Sequence, residues 1–306
     1  MSKEKRSHDG GNNNNNNDRN KKRKFKVSSG FLDPGTSGIY ATCARRKERQ
    51  AAQELGLLFE EKLEEIYKDE LAELDAADDN TEEGDNNDDK KKGEQELSIE
   101  DQIKQELSEL KDHDKKTTLT GEKKKDPLQF IDLDCECVIF CKTRKPIVPE
   151  EFLHKIIESL ADPTNMEKRT RYVQKLTPIT YSCSGSMDQL IKLAQRVLAP
   201  HFHNADNPTE YKFAVEVSRR NFNSIPKMDI IKQVVIEATK GGELGHKVDL
   251  KNYDKLILIE CFKNNIGMSV VDGDYSKKYR KYNVQQIYEA KFNDNHEEDA
   301  NEEVRT

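Results

Sequence analysis

The central body of the sequence predicts an α/β fold of the α+β kind, and three observations carry that prediction. Short runs that alternate apolar with polar residues, or are apolar throughout, recur from about residue 133 to residue 271. Stretches of 12 to 16 residues with apolar positions at helical spacing lie between them. Pro149, Pro200 and Gly241 fall at the edges of those helical stretches, where breakers belong.

In order, Ile39 to Cys43 is a short strand candidate, and Arg45 to Tyr67 reads as a helix with Ala52, Leu55, Phe59, Leu63 and Ile66 on one face. Leu133, Cys135, Cys137, Ile139 and Cys141 alternate with Asp132, Asp134, Glu136, Val138 and Phe140, the period of a single strand. Pro149 with Glu150 and Glu151 opens a helix with Phe152, Ile156, Ile157 and Leu160 inward. Arg171 to Tyr181 reads as extended. Ser186 and Gln189 form a capping box for a helix through Leu198, stopped by Pro200. Tyr211, Phe213, Val215 and Val217 alternate as a strand. Lys227 to Lys240 is a helix with Ile230, Ile231, Val234, Val235 and Ala238 inward, and Gly241 is its stop. Leu256 to Ile259 reads as a central strand, with Ile266 to Val271 beside it.

The rest of the chain lacks this patterning. Hydrophobic residues make up 34% of the sequence and charged residues 36%, below the apolar share of an average globular chain. Net charge is −7 overall, but it is unevenly spread. Lys and Arg outnumber Asp and Glu by nine to three in residues 1–30 and by 24 to 20 in 131–283. Acidic residues dominate 68–130, 21 to 11, and the tail 284–306, seven to two. Asn12 to Asn17, and the doublets Asp78-Asp79, Glu82-Glu83 and Asp88-Asp89, therefore read as disordered arm and insertion. Inside the insertion, Ser98 to Leu110 places Ile103, Leu107 and Leu110 on one face, a short docking helix. Lys21-Lys22-Arg23-Lys24 with Lys26 reads as a nuclear localisation signal or a loose phosphate-binding arm. No apolar run is long enough for a membrane span, the N-terminus is polar, and six cysteines do not make a disulfide scaffold, so secreted and membrane classes are set aside.

Catalytic motifs are missing from the sequence: it has no His-Glu-x-x-His, phosphate loop, Gly-x-Gly-x-x-Gly or Gly-x-Ser-x-Gly. Cys135, Cys137 and Cys141, with Cys43, Cys183 or Cys261 as a fourth, could be metal thiolates, but their spacing suits core packing better. Ser184 to Asp188 is only faintly similar to a pyrophosphatase loop. His201 and His203 have no partner cluster.

The basic residues group better. Arg45, Arg46, Lys47 and Arg49 crowd the expected first turn of the first helix, where backbone N–H groups could help hold a phosphate. Lys168, Arg169, Arg171 and Lys175 form a second cluster. Arg219, Arg220 and Asn221, with Asn223 and Lys227, form a third at a strand end. In the fourth, Lys278, Arg280 and Lys281 interleave with Tyr275, Tyr279 and Tyr282, rings that could stack bases. Together they predict RNA binding by a mildly basic body. Two other readings stay open: a thiol or acyl-transfer enzyme using one of the cysteines, and a protein-interaction module using the acidic insertion.

Thr170 to Ile179 (TRYVQKLTPI), Cys183, Tyr211 to Asn221 (YKFAVEVSRRN), Lys247 to Leu250 and Tyr279 to Asn283 resemble, in order and spacing, the THUMP domain, and more narrowly the stand-alone THUMP proteins of tRNA N4-acetylcytidine formation. The resemblance implies a ferredoxin-like half followed by a THUMP half. The implied division is 1–35 disordered arm, 36–67 plus 127–145 ferredoxin-like half, 68–126 insertion, 146–283 THUMP domain and 284–306 acidic tail. The resemblance also implies a nuclear or nucleolar tRNA-binding adaptor without catalysis or cofactor of its own. Such an adaptor presents serine and leucine tRNAs to a separate RNA cytidine acetyltransferase, which brings acetyl-coenzyme A and ATP. No DNA or membrane partner is implied.

Overall fold

The computed structural model describes residues 27–30, 32–71, 126–203 and 209–291. The asparagine run, the basic cluster at 21–26, the acidic doublets and the Ile103, Leu107 and Leu110 stripe lie outside the described residues.

The first sheet takes β1 (Ser28–Ser29), β2 (Ser37–Cys43), β3 (Leu128–Asp132), β4 (Val138–Thr143) and β5 (Val173–Ile179) in the order β1-β3-β4-β2-β5. Helix α1 (Glu48–Ile66) follows β2 and α2 (Pro149–Ala161) follows β4, so the β-α-β-β-α-β sequence of the ferredoxin-like fold is complete by Ile179. Leu55, Phe59 and Leu63 of α1 and Phe152, Ile156, Ile157 and Leu160 of α2 pack on Ile39, Ala41, Cys43, Ile139 and Leu176 of one sheet face. Tyr40, Ile131, Phe140 and Ile179 form a smaller cluster on the other face. Gly38 is needed where β2 meets β4, because a Cβ there would sit 2.3 Å from the Cys141 carbonyl oxygen.

The second sheet takes β6 (Tyr181–Ser184), β7 (Lys212–Arg220), β8 (Lys247–Val248), β9 (Lys255–Phe262) and β10 (Asn265–Asp272) in the order β6-β10-β9-β7-β8. Helices α3 (Met187–Phe202) and α4 (Lys227–Thr239) cover one face, with Leu190, Leu193, Leu198, Ile230 and Val234 buried against Phe213, Val217, Ile257 and Ile259. The other face gives Ala214, Leu256, Leu258 and Val271 to the core of the first half. Tyr275, Tyr279 and Tyr282 fill that seam, from the short α5 (Asp274–Lys277) and the turn after it. Backbone and side-chain bonds sew the halves together: Thr180 N–H donates to the Met268 carbonyl (3.0 Å), and the Ser269 hydroxyl donates to the Pro178 carbonyl (2.7 Å).

Several expectations need correction. The ferredoxin-like half extends to Ile179, not 145, because β5 pairs with β2 and α2 packs beneath it. Part of the arm is built into the fold: at 27–30 and 32–35, β1 adds a parallel edge to β3 and Gly35 N–H bonds the Ser182 carbonyl. The tail does not start at 284: residues 284–291 are helical, and Val284, Ile287 and Tyr288 are buried. The cysteine alternation spans a turn, not one strand, since Asp134 (φ 51°) and Cys137 (φ 63°) reverse the chain between β3 and β4. Pro200 lies inside α3, whose last turn continues because Phe202 is buried against Phe213, with ring centroids 5.4 Å apart. Ser186 stands at the start of α3 without a side-chain capping bond, so the capping box is not formed. The turn out of α4 begins one residue before Gly241, with Lys240 itself left-handed (φ 46°).

Candidate nucleic-acid interface

Helix α1 begins at Glu48, so Arg45, Arg46 and Lys47 precede its first turn and do not lie in it. The Glu48 carboxylate accepts the Cys137 N–H at 2.8 Å, and that bond holds its pKa below the usual carboxylate range. A carboxylate of the chain itself thus already answers the helix dipole, which removes the expected phosphate slot at the α1 N-terminus. The basic residues keep a different role. Ala44 N–H donates to the Tyr172 carbonyl (2.9 Å), bringing the end of β2 beside the start of β5. The Lys47 ammonium lies 5.2 Å from the centre of the Tyr172 ring, and the Arg171 guanidinium 5.4 Å. Cations from the first two clusters therefore share one half-buried ring.

The third cluster joins them through a turn. Arg45 pairs with Glu136 at 3.0 Å, both exposed, on the β3–β4 turn. The Leu133 carbonyl of that turn accepts the Lys263 ammonium at 3.0 Å, while Lys263 N–H donates to the Arg220 carbonyl at 3.1 Å. Arg220 and Asn221, the latter at φ 52°, are exposed at this strand end, and Asn223 and Lys227 carry the polar surface to the start of α4. Arg219 is used differently: its Nε and Nη2 donate to the Phe222 carbonyl at 3.2 and 2.9 Å, closing its own turn.

Between the sheets, Lys175 of β5 and Lys281 converge on Glu216 of β7 at 3.6 and 2.8 Å. Burial would raise the Glu216 pKa, but the Lys281 hydrogen bond and the Lys175 charge outweigh it and leave the carboxyl below its usual range. Glu260 of β9 is more deeply placed, and burial pushes its pKa up, although Ser218, Lys175 and Arg220 act the other way. A polar seam bounded by Lys175, Lys281 and Arg220 therefore runs between the two halves.

Other predicted residues do not join it. Arg169 is held by Glu61 at 2.6 Å and Glu167 at 3.0 Å, drawn toward the far turns of α1, and exposed Lys168 precedes it. Tyr275, Tyr279 and Tyr282 are 0%, 1% and 1% exposed, so these rings are core and offer no face to a base. The alternation of rings and cations marks one side of a turn packed inward, with Lys278 lying 4.8 Å over the Tyr279 ring and Arg280 exposed. Sequence reasoning missed Lys263 and Glu216. The Lys263-Asn264 pair between two apolar runs signals a hairpin tip, but only the parallel pairing of β7 with β9 places that tip beside Arg220.

Among the described residues no group of three or more His, Cys, Asp and Glu side chains could hold a metal ion. Burial pushes the thiol pKa values of Cys43 and Cys261 up to about 12 and that of Cys183 up to about 11.

Comparison with known proteins then identifies the family. Residues 184–271 match the THUMP domain. The chain is 68% identical to tRNA acetyltransferase TAN1 of Saccharomyces cerevisiae, over 89% of this chain and 91% of that one. This chain is a THUMP-family protein. Human THUMP domain-containing protein 1 is 26% identical, over 85% of this chain and 66% of its own. The solved THUMP domain of THUMP domain-containing protein 1 is 24% identical, covering 30% of this chain and 89% of that structure with a TM-score of 0.26. The THUMP match begins at the end of β6 and closes within β10, inside the second sheet.

Proposed function

We propose that this protein is a tRNA-binding adaptor that presents tRNA to a separate RNA cytidine acetyltransferase for N4-acetylcytidine formation, without catalysing the transfer. One observation carries the reading: cations that are far apart in sequence, Lys47, Arg171, Arg45, Lys263 and Arg220, are brought along one rim by the β2, β5, β3–β4 and β9–β10 connections. A rim built from two rigid halves reads the shape of a folded RNA through its phosphates, with affinity set by released counterions. The yeast relative is called a tRNA acetyltransferase, which supports tRNA as the ligand and acetylation as the pathway.

Three of the thiols speak against catalysis. At neutral pH, the Cys43, Cys183 and Cys261 thiols, pushed up to about 11 or 12, hold almost no thiolate, the form needed for nucleophilic attack. Acetyl-coenzyme A and ATP then belong to the partner enzyme. Serine and leucine tRNAs are its expected cargo, and the basic cluster at 21–26 would direct nuclear import.

Arg220→Glu tests the rim at an exposed side chain, whereas Arg219 beside it is bonded to Phe222 and closes its own turn. Filter binding over a salt series should show tRNA affinity reduced about ten-fold for every tRNA, with a shallower salt slope. Unaltered affinity and slope would remove Arg220 from the interface. Incubating the purified chain with tRNA, ATP and acetyl-coenzyme A, with and without the acetyltransferase, tests the rest: acetylation should need the second enzyme, and turnover by this chain alone would overturn the adaptor reading.

A further inference from the structure

A second surface lies at the opposite ends of the strands that carry the cationic rim. Between β2, α2 and the β5–β6 junction is a groove of about 690 Å³ lined by Ile147, Val148, Pro149, Thr180 and Tyr181, with Glu70 and Lys145 at its edge. Its floor is apolar. Val148 is 41% exposed, which is unusual for a residue whose N–H is already tied to the Tyr67 hydroxyl at the end of α1. The Thr180 hydroxyl is buried there with no hydrogen-bond partner among the described residues. An apolar floor with Val148 left exposed describes a surface that lacks its cover.

The chain itself supplies a candidate for that cover. The described part of α1's continuation stops at Leu71, one residue past Glu70 on the groove edge, and resumes at Asp126. The Asp126 carbonyl accepts a hydrogen bond from Arg144, and Pro127 is bonded to Arg144 N–H, next to Lys145 on the same edge. Both ends of the intervening 54 residues, 72–125, are thus anchored at the groove. Within that stretch only 98–110 repeats large apolar residues at the spacing of one face, with Ile103, Leu107 and Leu110. The same segment carries Glu100, Asp101, Glu106 and Glu109. The groove answers with exposed Lys145 and with Arg196, whose guanidinium lies 3.6 Å over the Tyr181 ring.

We propose that segment 98–110 of this chain docks in cis in the groove lined by Ile147, Val148, Thr180 and Tyr181, through Ile103, Leu107 and Leu110. A tether within one chain favours this occupant over any other, because 26 residues at one end (72–97) and 15 at the other (111–125) keep the segment at roughly millimolar effective concentration. The charges set its direction over the groove and the apolar side chains hold it there.

The test uses the full-length chain carrying Val148→Cys, with modification of that cysteine by a maleimide followed by peptide mass spectrometry, which separates it from the native cysteines. In an otherwise unchanged sequence the cysteine should react slowly. Adding Ile103→Asp, Leu107→Asp and Leu110→Asp should speed its reaction at least ten-fold, and a synthetic 98–110 peptide added to that variant should slow it again. Equal rates with and without the three aspartates would overturn the proposal. So would protection that strengthens with protein concentration, which would make the occupant a second copy, or protection that arises only when another protein is added. Affinity for tRNA should be unaltered in all variants, since the groove lies at the Ser37 end of β2 and the rim at its Cys43 end.

Discussion

Glu150 occupies the first turn of α2 beside a cavity of about 340 Å³ on the seam between the two halves, and both of its carboxylate oxygens are buried with no side-chain partner among the described residues. Glu151, His154, Lys155, His201, Lys255 and Asp272 line the same cavity, yet Lys255 is engaged by Asp272. Burial pushes the Glu150 carboxyl up from its ordinary 4.5 to about 7. Its pKa is therefore higher in the folded chain than in the unfolded one. As pH rises from 4.5, the unfolded chain loses its proton first and folding is progressively disfavoured, with the full penalty present above pH 7. Glu150→Gln should therefore stabilise the protein by up to about 3 kcal/mol at pH 8, and by little at pH 4. Urea denaturation at the two pH values checks this, and an equal effect at both would show that the buried charge is not the cause.

At the scale of elements, the turn from Tyr275 to Tyr282 separates what is legible in a sequence from what is not. Three tyrosines spaced among cations suggest base stacking, but in the fold they face Val271, Leu258 and α2, and His154 Nδ1 lies 3.0 Å from the Tyr282 hydroxyl. Tyr279→Ala should lower stability by about 3 kcal/mol or more, while Tyr279→Phe should leave tRNA affinity unchanged. A selective loss of binding in the phenylalanine variant would return the ring to the interface. The buried faces of α1 and α2 were readable because one amphipathic period encodes them, and β7, β9 and β10 because their apolar runs match their burial. The rim was readable only as four separate clusters. Residue spacing cannot reveal that β7 lies parallel to β9, that Arg169 turns toward Glu61, or that Glu48 fills its own helix end, because each depends on contacts between residues distant in sequence.

For the molecule as a whole, the two halves share one core. Ala214, Leu256, Leu258 and Val271 of the second sheet pack in the same cluster as α1 and α2, and Val284, Ile287 and Tyr288 complete it. The Tyr288 hydroxyl accepts the Arg169 N–H at 2.9 Å, and Lys291 donates to the carbonyls of Asp162 and Asn165 at 3.1 and 2.5 Å. A chain ending at residue 283 keeps the whole THUMP match yet loses these contacts. It should melt well below the full chain and expose apolar surface to a hydrophobic dye, and a melting temperature within one or two degrees of the full chain would show that residues 284–291 are dispensable.

Tyr288 is polymerised more than a hundred residues after Ile179, the last residue of the first sheet. At a synthesis rate of about 5–20 residues per second, the N-terminal half waits roughly 5 to 20 seconds on the ribosome for its final hydrophobic pieces. During that interval α1 and α2 expose part of their apolar faces, so the nascent protein should depend on chaperone shielding until translation has finished. Messages truncated late in the reading frame should consequently yield products that the cell degrades, even though nearly every secondary-structure element has been made.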